Sequence, residues 1–467
     1  MNTLTITPKF RPELDPEFLP AALWTRAYEK AVAEHGHGQE LRIWLQRENT
    51  TELVFKTAVF PDDVHTSLTE RYVERCVKFL LWQRGAPTVI LEGHPKLARS
   101  IGEHYSEGGA RAFDWELVGN KLFLKPITFT SDAPTPSQSQ TTTSKHLGRH
   151  LDGCRIGFDL GGSDRKAAAV IDGKVVFSEE IAWDPYFQSD PNYHFEGIRD
   201  SLRRAAANLP RVDAIGGSAA GVYVDNEARG GSLYRGISEQ DFDTQVRRLF
   251  HRVMEAEGWA DRPWEIVNDG EVTALAGSMS LKANAVLGIS MGTSLAAGYV
   301  DPHGNIKPWL NELAFAPIDY RTDAPTDEWS GDQGCGVQYF SQQAVARLAP
   351  HAGIQIPPDM PFPEQLVEVQ KLMETDDERA AAIYRTIGTC FGYAIAHYHS
   401  YYDFENLLIL GRVTTGVGGE SILAEARKVL EIEFPELAER TAMHTPNEQD
   451  KRHGQAVAAA SLPALSK

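Results

Sequence analysis

The chain has 467 residues, 42% of them hydrophobic and 24% charged, with a formal net charge of −18 at pH 7. Its length predicts about two to four domains, and its negative charge argues against a nucleic-acid binder, because neutralising phosphates needs clustered Lys and Arg. The sequence shows no secretory signal and no apolar run near the roughly 18 residues of a membrane span. We therefore expect a cytoplasmic protein that handles a small neutral substrate.

Residues 1–129 predict a separate α/β module. Alternating apolar residues indicate a strand hairpin, and the stretches after it indicate a helix, a strand and a second helix. The expected elements are the strands Leu41–Gln46 and Thr51–Phe60, the helix Leu68–Gln83, the strand Pro87–Glu92 and the helix Pro95–His104. No combination of side chains in this module suggests catalysis, so its role stays open.

Residues 130–150 predict a Ser/Thr/Pro/Gln-rich linker. Between Thr130 and His146 the apolar side chains are limited to Ala and Pro. Such a stretch cannot bury enough apolar surface to fold alone, so we predict that it is flexible.

Residues 151–467 predict a larger α/β module with two related lobes and a cleft between them. A strand hairpin, a crossover helix and further strands occur twice along this stretch. The expected strands are Cys154–Leu160, Lys166–Ile171, Lys174–Glu179, Val212–Ser218, Trp264–Val267, Ala285–Ser290, Leu295–Asp301 and Leu407–Leu410. The expected helices are Tyr193–Ala207, Asp243–Glu257, Gly270–Leu281, Val337–Leu348, Asp376–Tyr402 and one that starts near Gly419.

Two glycine-rich hairpin tips predict an anion site. In the first, Asp159-Leu160-Gly161-Gly162-Ser163, the glycines let backbone N–H groups approach an anion, the hydroxyl can donate to it, and Asp159 can hold a hydrated Mg²⁺. The alternative is a plain Gly-Gly turn. The second tip, residues 288–294, is also rich in glycine and hydroxyls. As a pair the tips could grip one triphosphate from both sides.

Two strand ends complete the pattern. An apolar strand ends in Asn268-Asp269, and ligands bind at such carboxyl ends in open α/β sheets. Asp269 can accept a proton from a hydroxyl nucleophile and Asn268 can hold a neighbouring hydroxyl. The alternative is a helix N-cap. The strand that ends at Gly411 precedes a glycine-rich loop, which either accommodates an adenine or is a closely packed crossover.

These motifs, in this order, resemble the ROK family of sugar kinases and regulators, in the actin-like ATPase superfamily, over roughly residues 154–465. The resemblance is carried by D-L-G-G-S (159–163), S-A-A-G-V (218–222), N-D-G-E (268–271), L-G-I-S-M-G-T-S (287–294), N-E-L-A-F (311–315) and L-G-R-V (410–413). It implies a two-lobed actin-like, ribonuclease H-like α/β fold. It also implies glucokinase-like, ATP-dependent phosphorylation of a sugar hydroxyl.

The resemblance assigns each motif a role. Asp159 would order Mg²⁺ through water, and Asp269 would be the general base. The nucleotide would be bound by Gly161, Gly162, Ser163, Gly292, Thr293, Ser294 and Gly411. The sugar would be bound by Asn268, Glu312 and Gly221. The resemblance makes a homodimer plausible, and we expect neither nucleic acid nor membrane as a partner.

The sequence departs from the family in ways that bear on function. Phe315 stands where the family has a zinc-binding His, and Cys335 is the only cysteine left near the family's cluster of three, so we expect no zinc site. Asp164 adds negative charge beside the phosphate turn, and Arg412 replaces a glycine of the adenosine motif. The four scattered cysteines, Cys76, Cys154, Cys335 and Cys390, predict reduced, buried thiols.

Two alternatives to the kinase therefore stay open. One is a non-catalytic sugar- or nucleotide-sensing protein, whose N-terminal module, which lacks the winged helix of the family's regulators, would bind a protein partner. The other is a different actin-like chemistry, such as ATP hydrolysis coupled to a conformational change.

Overall fold

The computed structural model describes residues 4–134, 146–357, 359–445 and 451–465. Most of the predicted linker, residues 135–145, lies outside the described residues. The described strands form three sheets of four or five strands and one two-stranded ribbon. No helix in these ranges is both long and apolar enough to cross a membrane.

The N-terminal module contains a four-stranded sheet in the order β2-β1-β3-β4. Its strands are β1 (Gln39–Gln46), β2 (Thr51–Val59), β3 (Thr88–Glu92) and β4 (Thr128–Thr130), and its helices are α1 (Ala21–His35), α2 (Thr66–Gln83), α3 (Pro95–His104) and the short α4 (Ala112–Asp114), which continues as a π-helix over Trp115–Phe123. The predicted hairpin, strand and two helices are confirmed. Helix α1 was missed, although its buried Trp24, Tyr28 and Val32 recur every four residues.

The first lobe is built on a five-stranded sheet in the order β11-β8-β5-β6-β7. Its strands are β5 (Cys154–Leu160), β6 (Asp164–Ile171), β7 (Lys174–Ala182), β8 (Ala214–Ala219) and β11 (Trp264–Asn268), and the ribbon is β9 (Val222–Val224) with β10 (Glu227–Gly230). Its helices are α5 (Pro191–Ala206), the short α6 (Glu239–Asp241), which continues as a π-helix over Phe242–Val246, and α7 (Leu249–Ala256). Strands β5, β8 and β11 are parallel to one another, so their carboxyl ends meet at one edge.

The second lobe has a four-stranded sheet in the order β13-β12-β14-β15. Its strands are β12 (Val286–Met291), β13 (Leu295–Val300), β14 (Asn406–Leu410) and β15 (Ala442–His444). The helices from the β11 end onward are α8 (Asp269–Leu281), α9 (Gln342–His351), α10 (Phe362–Met373), α11 (Glu378–Tyr398), α12 (Gly416–Glu433), α13 (Pro435–Arg440) and α14 (Lys451–Ala460).

Two of the predicted helices differ from those observed. The helix expected over residues 243–257 is interrupted, because the π-helix ends at Val246 and α7 starts only at Leu249. The helix expected from Val337 starts at Gln342 instead, because the Ser341 side chain accepts a hydrogen bond from the backbone N–H of Gln343 and caps α9 there.

The apolar cores show how the parts are joined. One continuous core contains residues of the N-terminal module and of the second lobe, whereas the first lobe has a core of its own. Helix α14 returns the chain to the first lobe. A Cβ at Gly157 or Gly216 would collide with the backbone of Ala456 or Ala459, so these strand glycines allow α14 to lie directly on the sheet.

Candidate active site

The carboxyl ends of β5, β8 and β11 bring together the polar residues that the sequence placed in separate motifs. Asp159 lies beside Ser218 in the register of β5 and β8, and Asn268 lies beside Ala219 in that of β11 and β8. Asp269 follows directly as the first residue of α8. Parallel strands have their carboxyl ends at the same edge, so this juxtaposition follows from topology.

Asp159 is buried and has two partners. The Ser218 hydroxyl donates to its Oδ1 at 2.7 Å, and Lys166 Nζ lies 3.7 Å from its Oδ2. Burial raises the pKa of Asp159, and these two partners offset part of that effect. Lys166 also lies 3.1 Å from Asp164. The extra charge of Asp164 is thus partly balanced by Lys166.

The turn between β5 and β6 is held by backbone and tryptophan contacts. The Gly161 N–H donates to Asp164 O at 2.9 Å, and Trp183 Nε1 donates to Gly161 O at 2.7 Å. A Cβ on Gly161 would lie 3.3 Å from Asp164 O, which is a tight contact, so there is little free space beside this glycine. A Cβ on Gly162 would instead collide with the Tyr186 hydroxyl. Tyr186 therefore covers part of the predicted phosphate turn.

The second glycine-rich tip is open. The Gly292 N–H donates to Ser294 O at 3.0 Å, and Thr293 and Ser294 are exposed. A Cβ on Gly292 would have only Ser294 O within 4 Å, at 3.6 Å. This tip thus keeps two hydroxyls accessible to an anion.

Gly411 directly follows β14 and packs against the backbone of Met291, beside this second tip. Its φ is 100°, a conformation that L residues rarely adopt, and a Cβ there would collide with the backbone of Met291. The side chain of Arg412, the next residue, is exposed. The glycine thus has a packing role, and its nucleotide role stays a prediction.

Asn268 is the N-cap of α8, as the alternative interpretation held. Its side-chain oxygen accepts from the Gly270 N–H at 2.7 Å, and its Nδ2 donates to Gly221 O at 2.7 Å. Gly221 has a φ of 134°, and a Cβ there would meet Gly230 O at 2.5 Å. The cap role and the predicted sugar role are compatible, because an amide has one further N–H and one further lone pair.

Asp269 is half-buried and its charge is disfavoured. Burial, and then the negative charge of Asp159, raises the pKa of Asp269 to about 6. Its carboxylate accepts a hydrogen bond from the backbone N–H of Gly270 at 3.0 Å, and the backbone N–H groups of Gly270 and of Asp269 itself oppose part of the rise in pKa. Asp269 also lines a cavity of about 90 Å³ between α8 and the second sheet, whose other lining residues are Gly270, Thr273, Gly288, Ser290, Ala296, Ala297, Gly298 and Leu410.

Glu312 is electrostatically linked to Asp269. Burial, and then the charge of Asp269, raises the pKa of Glu312 to about 7. Three residues later, Phe315 lies in an aromatic cluster with Trp82, Phe113 and Trp329, at ring-centroid distances of 4.4, 5.4 and 5.5 Å. Within the described residues, no group of three or more His, Cys, Asp and Glu side chains is arranged to hold a metal ion.

A buried network that the sequence did not reveal lies next to this site. Asn311 Nδ2 donates to Glu271, the Tyr299 N–H donates to Glu271 Oε2 at 3.3 Å, and the Tyr402 hydroxyl donates to Asn311 Oδ1 at 2.7 Å. The only sequence signal was that Glu271 and Asn311 lie inside motifs already singled out. Burial raises the pKa of Glu271 to about 8, although its two hydrogen-bond donors oppose the shift.

The protonation of Glu271 predicts a loss of stability with rising pH. Its folded-state pKa, about 8, exceeds the unfolded value of 4.5, so its contribution to stability is full below pH 4.5 and is lost as the pH rises through 8. The contribution is on the order of a few kcal/mol. In Glu271→Gln, which stays neutral, we expect the free energy of unfolding to fall less over this range. Urea unfolding of both proteins at several pH values tests this, and parallel curves would contradict it.

The comparisons with known proteins concern the fold. No family model and no curated protein matches the sequence. The solved ROK hexokinase from Thermus thermophilus superposes with a TM-score of 0.51 at 18% identity, covering 66% of this chain and 96% of that one. This match shows that the chain has the two-lobed α/β fold of a ROK hexokinase, as predicted. About a third of this chain has no counterpart in that structure.

Other solved ROK proteins are similar at lower scores. A ROK family glucokinase from Streptomyces griseus, solved in complex with glucose and AMPPNP, has a TM-score of 0.44 at 22% identity over 66% of this chain and 98% of that one. A ROK family transcriptional regulator, homologous to the E. coli MLC protein, has a TM-score of 0.47 at 18% identity over 67% and 79%. Kinases and a regulator thus occur among the similar structures.

Proposed function

We propose that this chain is an ATP-dependent sugar kinase in which Asp269 is the general base. The observation that carries the proposal is the position and pKa of Asp269. Asp269 directly follows β11, whose carboxyl end lies beside those of β5 and β8, and it also lines a cavity between α8 and the second sheet. Its pKa of about 6 leaves it mostly ionised at neutral pH. A base whose pKa lies near the working pH combines availability with basicity.

The residues around the cleft fit a magnesium-bound nucleoside triphosphate. Gly292 leaves space for phosphate oxygens, Thr293 and Ser294 offer exposed hydroxyls, and Asp159 offers a carboxylate for the hydrated ion. When bound, Mg·ATP supplies the transferable phosphoryl group and neutralises the charge that develops on it. Tyr186 must turn away from Gly162 if the amide there is also to bind phosphate.

The chain's own residues supply position and a proton acceptor. Glu312 and Asn268 would hold hydroxyls of the sugar, so that one hydroxyl points at Asp269 Oδ. Asp269 would take that proton as the hydroxyl oxygen attacks the γ-phosphorus. Because phosphoryl transfer depends mainly on positioning and electrostatics, one carboxylate base beside backbone amides is sufficient.

The decisive experiment measures ADP release from Mg·ATP across hexoses, N-acetylhexosamines and polyols. We expect turnover with one sugar or a few related ones, and a phosphorylated sugar in amounts equal to the ADP. ADP without phosphorylated sugar would favour ATP hydrolysis coupled to a conformational change. If the folded protein releases no ADP with any sugar of the panel, the kinase assignment is overturned.

One observation favours the second candidate, a non-catalytic sugar or nucleotide sensor. The Tyr186 hydroxyl occupies the space beside Gly162, and the guanidinium of Arg235 lies 4.7 Å from the centroid of the Tyr186 ring. A covered phosphate turn suits a protein that binds a ligand without turning it over. Such a protein would show thermal stabilisation by a sugar or a nucleotide without ADP formation.

The pKa of Asp269 predicts how kcat falls on the acid side of the pH–rate profile. Below about pH 6 the carboxylate is protonated and cannot accept the hydroxyl proton, so kcat should fall about tenfold per pH unit. Because the charge of Asp159 contributes to the raised pKa, the residual activity of Asp159→Asn should have its acid limb at lower pH. Single-turnover rates from pH 4.5 to 8 test both statements. An unmoved limb in this variant would show that Asp159 does not influence the titrating group.

A further inference from the structure

We propose that the N-terminal module is a positioning element of the sugar site, and that helix α2 holds the segment that carries Glu312. Residues 308–320 are called the acceptor segment here. That Glu312 binds a sugar rests on the proposed function. The contacts between the module and the acceptor segment are independent of that function.

The acceptor segment caps the carboxyl end of α2. The Asn311 N–H donates to Gln83 O at 2.9 Å, and the Glu312 N–H donates to Trp82 O at 3.0 Å. The last carbonyls of a helix have no partner inside the helix and need donors from elsewhere. The backbone of Glu312 is therefore placed directly by the end of α2.

Arginines of the module hold the start of the acceptor segment. Arg47 Nη1 donates to Pro308 O at 2.7 Å. The guanidinium of Arg84 lies 4.0 Å from the ring centroid of Trp309, a distance at which a cation and an aromatic face attract each other.

The start of α1 and the chain just before it hold the far end of the segment. The Ala21 N–H donates to Ile318 O at 3.0 Å, and the Tyr320 N–H donates to Leu19 O at 2.9 Å. With α2 in the middle, the module thus contacts the acceptor segment at its start, its centre and its end.

The same segment is tied to the helix that begins with Asp269. Asn311 has a φ of 49° and uses its side chain to bind Glu271, which lies two residues after Asp269. Asn311 therefore joins the end of α2 to the start of α8. Through this residue, the module sets the position of Glu312 relative to the proposed base.

The support of the acceptor segment by the module has a physical consequence for Glu312. The pKa of Glu312 is raised by burial and by the charge of Asp269, so the two carboxylates repel each other when both are ionised. An unsupported segment would move Glu312 outward and relax this repulsion. Displacements of about 1 Å can cost about 10²-fold in rate, so a rigid support for Glu312 affects sugar binding directly.

The test weakens the end of α2 by Trp82→Leu, which removes the ring packed on Phe315. We expect hydrogen exchange of residues 308–316 to accelerate, while residues 159–166 and 288–294 keep their rates. In steady-state kinetics with the best sugar of the panel, starting from D-glucose, the KM for sugar should rise roughly tenfold or more. The KM for ATP should stay within about twofold, because the glycine-rich tips are untouched.

The matched control is Tyr105→Leu. Tyr105 is also an aromatic residue of this module, buried against Phe129 at a centroid distance of 5.3 Å, and neither residue belongs to the acceptor segment or to α2. This variant should lose stability without changing the exchange of residues 308–316 or the KM for sugar. If Trp82→Leu does not fold, Trp82→Phe replaces it, with a smaller effect in the same direction.

Two outcomes would overturn the proposal. One is unchanged exchange in residues 308–316 of a folded Trp82 variant. The other is an equal rise in the KM for sugar in the Tyr105 control, which would mark a general loss of stability. If the wild-type protein phosphorylates no sugar, the proposed function fails, but the exchange experiment still decides whether the module positions the segment.

Discussion

Asp269→Asn should reduce sugar phosphorylation by about 10²–10⁴-fold while the protein stays folded, because the amide cannot accept the hydroxyl proton. The substitution changes neither size nor the backbone hydrogen bond at Gly270. Asn is also tolerated at the start of a helix. We therefore expect the KM for sugar to change little and kcat to carry the loss. ADP release and the formation of the sugar phosphate measure it.

The control for this variant is Asp261→Asn, the same exchange at a carboxylate that is 75% exposed. It should leave kcat unchanged. Asp269→Asn should also still bind the sugar in isothermal titration without nucleotide. If Asp269→Asn keeps the wild-type kcat, Asp269 is not the base, even if the protein is a kinase.

Lys78→Met should cost about 3–5 kcal/mol in the free energy of unfolding, because it leaves buried carboxylates without their cation. Lys78 is fully buried, with its Nζ 2.8 Å from Asp114 Oδ2 and in contact with Asp332. Burial opposes its charge, but the two carboxylates outweigh burial and raise the pKa of Lys78. The expected cost is a large share of the roughly 5–15 kcal/mol that stabilises a typical protein.

The matched control is Lys96→Met, because Lys96 is also paired with two carboxylates, those of Asp62 and Asp63, but is 63% exposed. Surface ion pairs contribute little, so this variant should unfold with wild-type stability. Chemical unfolding of the three proteins at pH 7 provides the comparison. Equal stability of Lys78→Met and the wild type would show that the buried pair is not a net stabilising link between α2 and the loop that carries Asp332.

Several features of this protein followed from sequence alone, because they depend on local patterns. The largely apolar stretches Cys154–Leu160 and Lys166–Ile171, joined by the turn residues Gly161-Gly162-Ser163, specified two strands of a hairpin. Asn268-Asp269 after an apolar strand specified both a helix start and a residue at a sheet edge. The order of the motifs specified the two-lobed α/β fold, which the match to the Thermus thermophilus hexokinase shows.

Local patterns did not reveal where a helix is interrupted. They also did not reveal where a single side chain sets the start of a helix. The start of α9 depends on one hydroxyl, that of Ser341. Helix α1 was missed although Trp24, Tyr28 and Val32 mark its buried face. A four-residue spacing is a weak signal when the intervening residues are mixed, and only packing against the rest of the core makes it a stable helix.

Tertiary structure alone decided which residues share the candidate site. Ser218 binds Asp159, and Asn311 binds Glu271, yet each pair is separated by at least 40 residues in sequence, and no periodicity reports such contacts. The raised pKa values of Asp269, Glu271 and Glu312 likewise depend on burial, which only the folded chain creates. The position of the Tyr186 hydroxyl beside Gly162 also depends on the folded chain and on no local pattern.

The sequence by itself therefore determined most of the strands and helices, the motifs at their ends and the fold class, because these depend on side-chain periodicity and on turn residues. The tertiary structure decided that the N-terminal module shares its core with the second lobe and that the end of α2 binds Asn311 and Glu312. Such contacts depend on the complementary shape and unpaired hydrogen-bonding groups of surfaces far apart in sequence. Composition and spacing do not encode that complementarity in any local pattern.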